Sequence, residues 1–393
     1  MSSSKLTLGM TLILGAIAGL TPLAMDMYLP AMPQMVIDFA TSTNAVQFTL
    51  TSYVAGFAIG QLIHGPLSDR FGRRPLLLFG IGLFGLAILG SPFVVSIYAL
   101  TILRFVQGLC GAAGAVVLMA IIRDMFDRED FASVMSVVSL VMIVAPLIAP
   151  LIGGYLTVLF GWPSIFILIA IIALIVIVLV MLKIPETLPK EKRQPLAFKN
   201  IFVNYFSVLK TPASFGLILC DSLAFSGMFA FLTVGSFVYI NTFGVKVEHF
   251  GYLFGLNISA VFLLTTINAK CLRIFGIHHL LRGGLTLMMF GSIGLICVWY
   301  FNLGIWYLVP SIMLYIAPGA LIGSNTMGLL LSRYSNLAGT ASGLAGTAKF
   351  GISAVLGAVV AGSPHNVIFT LVLSMVLCAL GSTLSYAIFA RNL

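Results

Sequence analysis

The chain has 393 residues, 60% of them hydrophobic and 8% charged, with a mean hydropathy of +1.13. Apolar stretches of about 20 residues recur from end to end, each long enough to cross a bilayer, which excludes a soluble globular or disordered protein. The formal net charge of +9 is therefore read as a topology signal rather than as a nucleic-acid footprint.

In chain order, "MSSSKLTLGM" has one Lys, lacks a small-residue cleavage pattern and continues past signal-peptide length, so it is read as the start of a retained first helix. Helix-length windows fall at 8–34, 46–66, 76–93, 96–121, 132–159 and 163–183, then at 212–240, 250–270, 281–301, 304–328, 340–362 and 366–388. The expectation is an all-α polytopic membrane protein of twelve transmembrane helices, with six-helix bundles at 1–183 and 212–393 and a cytoplasmic linker at 184–211. On this map 17 of the 20 Lys and Arg residues fall on one side, which predicts that both termini are cytoplasmic. Two halves joined by a basic linker match the arrangement in which transporter halves rock about a midplane site, although helix count alone leaves the function open.

Charges inside spans are costly, so the few present are informative. In the first span, "TPLAMDMYLPAMP" places Asp26 between Pro22, Pro30 and Pro33, ~18 Å of helical rise in from Asp38. In the fourth, "LRFVQGLCGAAG" holds Arg104 ~12 Å of rise in from Ser96, with Gln107 nearby. An acid there can exchange protons as water reaches it, or it can form a static pair with Arg104 that only fixes helix packing. Both readings stand open on the residues alone. In the second half, Asp221 and Lys349 each lie ~13.5 Å of rise from the start of their spans, which predicts an ion pair with a structural role ahead of a second proton site.

Between the second and third spans stands "GPLSDRFGRRP". Its Gly65 and Gly72 permit a tight reversal, Asp69 offers a carboxylate, and Arg70, Arg73 and Arg74 supply fixed charges. The next loop on that side, "IIRDMFDRED", offers Asp124 as a further partner or as part of a solvated surface. The fifth span, "SVVSLVMIVAPLIAPLIGG", carries Ala145, Pro146, Ala149, Pro150, Gly153 and Gly154, small and kinking residues suited to close helix packing.

The loop string resembles the signature of the major facilitator superfamily. The first-span motif "DMYLPAMP", with "PETL", "FGLNI", "INAKCLRIFG" and "AGTASGLAG", resembles the bicyclomycin and chloramphenicol resistance group of drug/proton antiporters. This resemblance implies that Asp26 is the proton-coupling carboxylate beside Arg104. It further implies that Asp69 latches onto the N-terminus of the eleventh helix, near "AGTASG", and that the fifth-span motif marks an antiporter. In that motif Ser136, Ala145 and Ala149 stand where glycines are usual, so the match is partial.

A midplane cavity is expected to draw on Tyr28, Tyr53, Phe57, Gln107, Phe225, Phe229, Asn257 and Tyr315, aromatic walls with a few polar groups that suit an amphipathic small molecule. No phosphate-binding loop and no metal spacing occur, so no cofactor is expected and a gradient supplies the energy. The five histidines are read as surface or loop residues. The expected function is proton-driven export of small amphipathic drugs across a bacterial inner membrane, by a monomer. Two alternatives stand beside it: an exporter or importer of a specific metabolite in the same architecture, and a membrane-embedded enzyme or scaffold, for which no catalytic constellation is found.

Overall fold

The computed structural model describes residues 8–193, 195, 198–334 and 337–391, and among these every regular element is helical. In lipid this is the expected solution, since a helix satisfies its backbone hydrogen bonds internally. Eleven helical segments are long and apolar enough to cross a membrane. One of them, Val247–Tyr300, has 54 residues and leaves helical geometry at Gly276 (φ 74°), so the chain makes two passes where a loop after residue 270 was expected.

The first span is α1 (Leu8–Asp26), a short 3-10 turn at Leu29–Ala31, and α2 (Met32–Asp38). It was expected to be continuous. Pro30 and Pro33 lack the N–H groups that would bond back to Asp26 and Leu29, so the helix stops at Asp26 and restarts beyond the turn. The passes α3 (Thr43–Phe71), α4 (Arg73–Gly90), α5 (Ile97–Met125), α6 (Arg128–Phe160) and α7 (Pro163–Lys183) follow. Ser42, Ser96 and Asp127 start α3, α5 and α6 by accepting from the N–H groups of Ala45, Tyr98 and Asp130. Between α3 and α4 the reversal turns on Gly72, whose φ of 103° lies in the left-handed region.

The segment expected to be a linker contains a helix, α8 (Phe198–Leu209). Beyond it lie α9 (Pro212–Ser236), α10 (Val247–Tyr300), α11 (Ile305–Ile316), α12 (Gly319–Arg333), α13 (Ala338–Ala361) and α14 (Val367–Ser385). The tenth span is thus two helices, α11 and α12, broken beside Pro318. Within the first half α3 packs on α5, α4 on α5 and α7, and α1 on α6. Within the second α9 packs on α13 and α14, and α10 on α11 and α12.

Two antiparallel seams join the halves. Along α3 and α13, Thr51 meets Gly357, Phe57 meets Phe350 and Gln61 meets Gly346 in constant register. Along α6 and α10, Leu147 meets Gly255, Leu151 meets Gly251 and Gly154 meets Val247. The glycines let backbones approach closely, the usual basis of helix association in lipid. Among the described residues, hydrogen bonds between the halves lie toward the end away from the linker, at Asn44 to Ser363, at Tyr155 with Tyr252 and from Ser236 to the Met32 sulfur.

Candidate transport site

Arg104 is the deepest charge in the molecule, with no exposed surface. Its position follows from the crossing of α3 and α5: a side chain on Gly108 would strike the Tyr53 carbonyl, and one on Gly56 would lie 2.8 Å from the Leu109 nitrogen. That close crossing brings the Tyr53 ring to 4.4 Å from the guanidinium carbon, and the Tyr28 ring covers it at 4.5 Å. Two desolvated aromatic faces are each worth roughly 2 kcal/mol to a cation. Nη1 donates to the Ala24 carbonyl at 3.1 Å and to Gln107 Oε1 at 3.0 Å, while Nε and Nη2 have no hydrogen-bond partner. Tyr28 donates to Thr49 at 2.5 Å, because the Thr49 hydroxyl itself donates to the Val46 carbonyl.

Asp26, the last residue of α1, is 6% exposed. Its carboxylate is an electrostatic neighbour of Tyr53, and among the described residues no cation lies within 4 Å of it. A static Asp26–Arg104 pair is therefore absent from this state. Opposite the break, α6 comes so close that a side chain on Gly153 would strike the Met27 carbonyl.

In the second half, Lys349 Nζ of α13 lies 3.1 Å from Asp221 Oδ2 of α9 and donates to Oδ1 at 3.3 Å. The same ammonium sits 4.8 Å over the Phe225 ring. Phe350, which the sequence reading passed over although it adjoins Lys349, stacks edge-on against both Phe225 and Phe57. Phe229 is buried against Gly357 at the α3–α13 seam.

Two expected cavity residues, Gln107 and Tyr315, face elsewhere. Gln107 turns into the first half, donating to the Ala87 carbonyl and to Ser91. Tyr315 turns into the second, donating to the Met375 carbonyl at 2.8 Å, because Gly227 leaves room for its hydroxyl. Asn257 donates to its own helix at the Leu253 carbonyl. For Gln107 and Tyr315 a nearby polar group inside one bundle draws the side chain away from the seam, whereas the buried Asn257 Oδ1 has no hydrogen-bond partner among the described residues. His64, expected at the surface, is buried and bonds the Gly60 carbonyl.

A profile described as Major Facilitator Superfamily matches residues 14–358. The chain belongs to this superfamily. It is 37% identical to a bicyclomycin resistance protein homolog of Haemophilus influenzae over all of this chain and 99% of that one. It is 29% identical to a chloramphenicol resistance protein of Pseudomonas aeruginosa over 77% of this chain and 70% of that one. Among solved structures a D-xylose-proton symporter superposes with a TM-score of 0.75 at 18% identity, covering 95% of this chain and 96% of that one, a likeness of fold. The superfamily and these relatives are transporters, and the chain is a multi-pass membrane protein among them.

The superfamily's loop signature forms a compact charge cluster here. Arg73, 5% exposed, pairs with Asp69 at 2.6 Å and with Asp124 at 3.3 Å, and donates to Ser68. Glu186 of "PETL", a role the sequence reading missed, accepts from the Arg73 backbone N–H at 3.0 Å and lies 3.7 Å from Arg193. Arg74 donates to the Met181 carbonyl, while Arg70 lies over the Phe71 ring. Gly65 has only Val116 near its Cβ position, and Gly72 would crowd Glu186 and Arg193 with any side chain.

The expected contact between Asp69 and the eleventh span is not formed: α13 starts at Ala338 with Leu337 as its N-cap and no side chain capping it. The α3–α13 register, extended, sets Asp69 level with Ala338. Asp69 is instead held by Arg73 within its own half. The fifth-span motif keeps α6 helical through Pro146 and Pro150, with Ala145, Ala149, Pro150, Gly153 and Gly154 buried.

Proposed function

We propose that this chain is a proton-coupled antiporter that exports small amphipathic drugs, of the bicyclomycin and chloramphenicol kind, across a bacterial inner membrane by alternating access. The halves 1–183 and 212–393 rock as units about the two glycine-lined seams, with the linker end cytoplasmic and a monomer as the transporting species. The observation that carries this reading is Asp26, a buried carboxyl without a cation in reach, at a helix break beside an Arg104 that has two unpartnered donors.

A buried carboxylate without a partner is costly, so Asp26 keeps its place by carrying a proton. Movement at Met27–Ala31 brings it toward water or toward the free donors of Arg104, and either releases that proton. Arg104 cannot serve as the proton carrier, because a guanidinium does not deprotonate in proteins. Its role is to set the field in which Asp26 exchanges. Substrate entering from the cytoplasmic side meets Phe57, Phe225 and Phe350, aromatic surface suited to an apolar body. By linkage, a substrate that lowers proton affinity is itself bound less well when the site is protonated.

Closure on the cytoplasmic side brings Asp69 to the first turn of α13, where an anion is favoured by about 0.3–1 kcal/mol. The names of the relatives support drug export as the direction. In intact cells, expression of the wild type lowers chloramphenicol accumulation and raises resistance, and Asp26→Asn abolishes both effects. Increased accumulation of a metabolite with no change for any drug would favour an importer instead.

A further inference from the structure

Along residues 203–209 of the linker helix α8 one face is covered by the protein and the other is exposed. On the covered face Val208 is fully buried, and the Tyr205 hydroxyl lies 3.2 Å from where a Cβ on Gly343 of α13 would stand. On the opposite face Val203 is 58% and Phe206 69% exposed, one helical turn apart. The next helix, α9, begins at Pro212, three residues after α8 ends, and exposes Phe215 to its surroundings within its first turn. The start of a membrane span fixes the depth of α8: its C-terminal end lies at the bilayer surface.

The exposed charges that flank α8 in the sequence are mostly basic. Lys183, Lys190, Lys192 and Lys210 are exposed at either end of the segment, against the single exposed acid Glu191, since Glu186 is engaged with Arg73 and Arg193. An apolar pair flanked by lysines at headgroup depth complements a negatively charged lipid surface, where the rings enter the acyl boundary and the ammonium groups meet phosphates.

We propose that α8 docks its Val203 and Phe206 face into the headgroup layer of an anionic phospholipid leaflet, held by the lysines at both its ends. Because the other face of the same helix touches α13, the lipid contact braces the end of α13 that faces Asp69.

The test uses the full chain in nanodiscs of phosphatidylcholine alone and of phosphatidylcholine with phosphatidylglycerol, following amide hydrogen exchange across 203–209. Exchange should slow by about tenfold in the anionic discs. The triple variant Lys190→Gln, Lys192→Gln, Lys210→Gln should lose most of that difference, since each lysine near such a surface is worth about fivefold in affinity. Its substitutions lie at exposed positions and leave the packed core intact. Strong protection that is equal in both lipids would assign α8 to packing on α13 alone and overturn the proposal, as would a triple variant that keeps the wild-type difference. Independently, Phe206→Trp should add fluorescence that brominated lipid quenches, over the background of the 3 native tryptophans; no added quenching would exclude insertion.

Discussion

Lys349 Nζ stands 3.1 Å from Asp221 Oδ2, closing a charged bridge between α13 and α9 at the depth of the aromatic seam. The pair touches Phe225, and through Phe350 it adjoins Phe57 of the other half. Removing one member leaves its partner unpaired in a poorly solvated place.

Accordingly Asp221→Asn or Lys349→Met alone should lower unfolding stability in detergent by about 3 kcal/mol, less if water reaches the lysine. The double variant should recover to within about 1 kcal/mol of wild type. Thermal unfolding of the three proteins decides the matter. A double variant as unstable as the worse single would show that the pair does more than neutralise charge.

Gly153 presents a sharper steric case, because a Cβ there meets the Met27 carbonyl just past the α1 break. Gly153→Ala should cost roughly 1–3 kcal/mol by overpacking and reduce transport with it. Gly82→Ala in α4, where nothing lies within 4 Å of the added atom, is the matched control and should leave unfolding and transport unchanged. Equal behaviour of the two variants would contradict the packing described around the break.

The loop arginines should separate by their partners. Arg73 is buried among Asp69, Asp124 and Ser68, whereas Arg70 is exposed and lies over the adjacent Phe71 ring. Arg73→Ala, which strips two carboxylates of their cation, should lower stability by about 2 kcal/mol and slow transport. Arg70→Ala should change stability by less than about 0.5 kcal/mol. Drug efflux rates and unfolding midpoints of both variants test this ordering, and a larger loss at Arg70 would refute it.

How much of this was written in the sequence differs from residue to residue. Hydropathy placed the spans because lipid demands long apolar helices, and the depth of Asp221 and Lys349 could be counted from their helix starts. The prolines around Asp26 marked an irregularity, yet the expectation of a continuous first helix ignored that Pro30 and Pro33 remove two backbone bonds within one turn.

Facing direction was the harder matter. Gln107 and Tyr315 turn inward because Ser91, the Ala87 carbonyl and the Met375 carbonyl lie there, and those partners come from other helices, whose facing the sequence does not state. Phe350 and Glu186 were missed for the same reason, although each adjoins a residue already singled out. Gly56 and Gly108 decide that α3 crosses α5 beneath Arg104, a packing choice that a list of glycines does not reveal.

The central claim is that Asp26 exchanges a proton against substrate, and it is tested most directly by proton release from purified protein on adding chloramphenicol or bicyclomycin. Wild type should release protons in weakly buffered solution, and Asp26→Asn should bind the drug without releasing any. Equal release from both proteins would contradict the account and move the exchanging site elsewhere, with Asp221 the first position to examine.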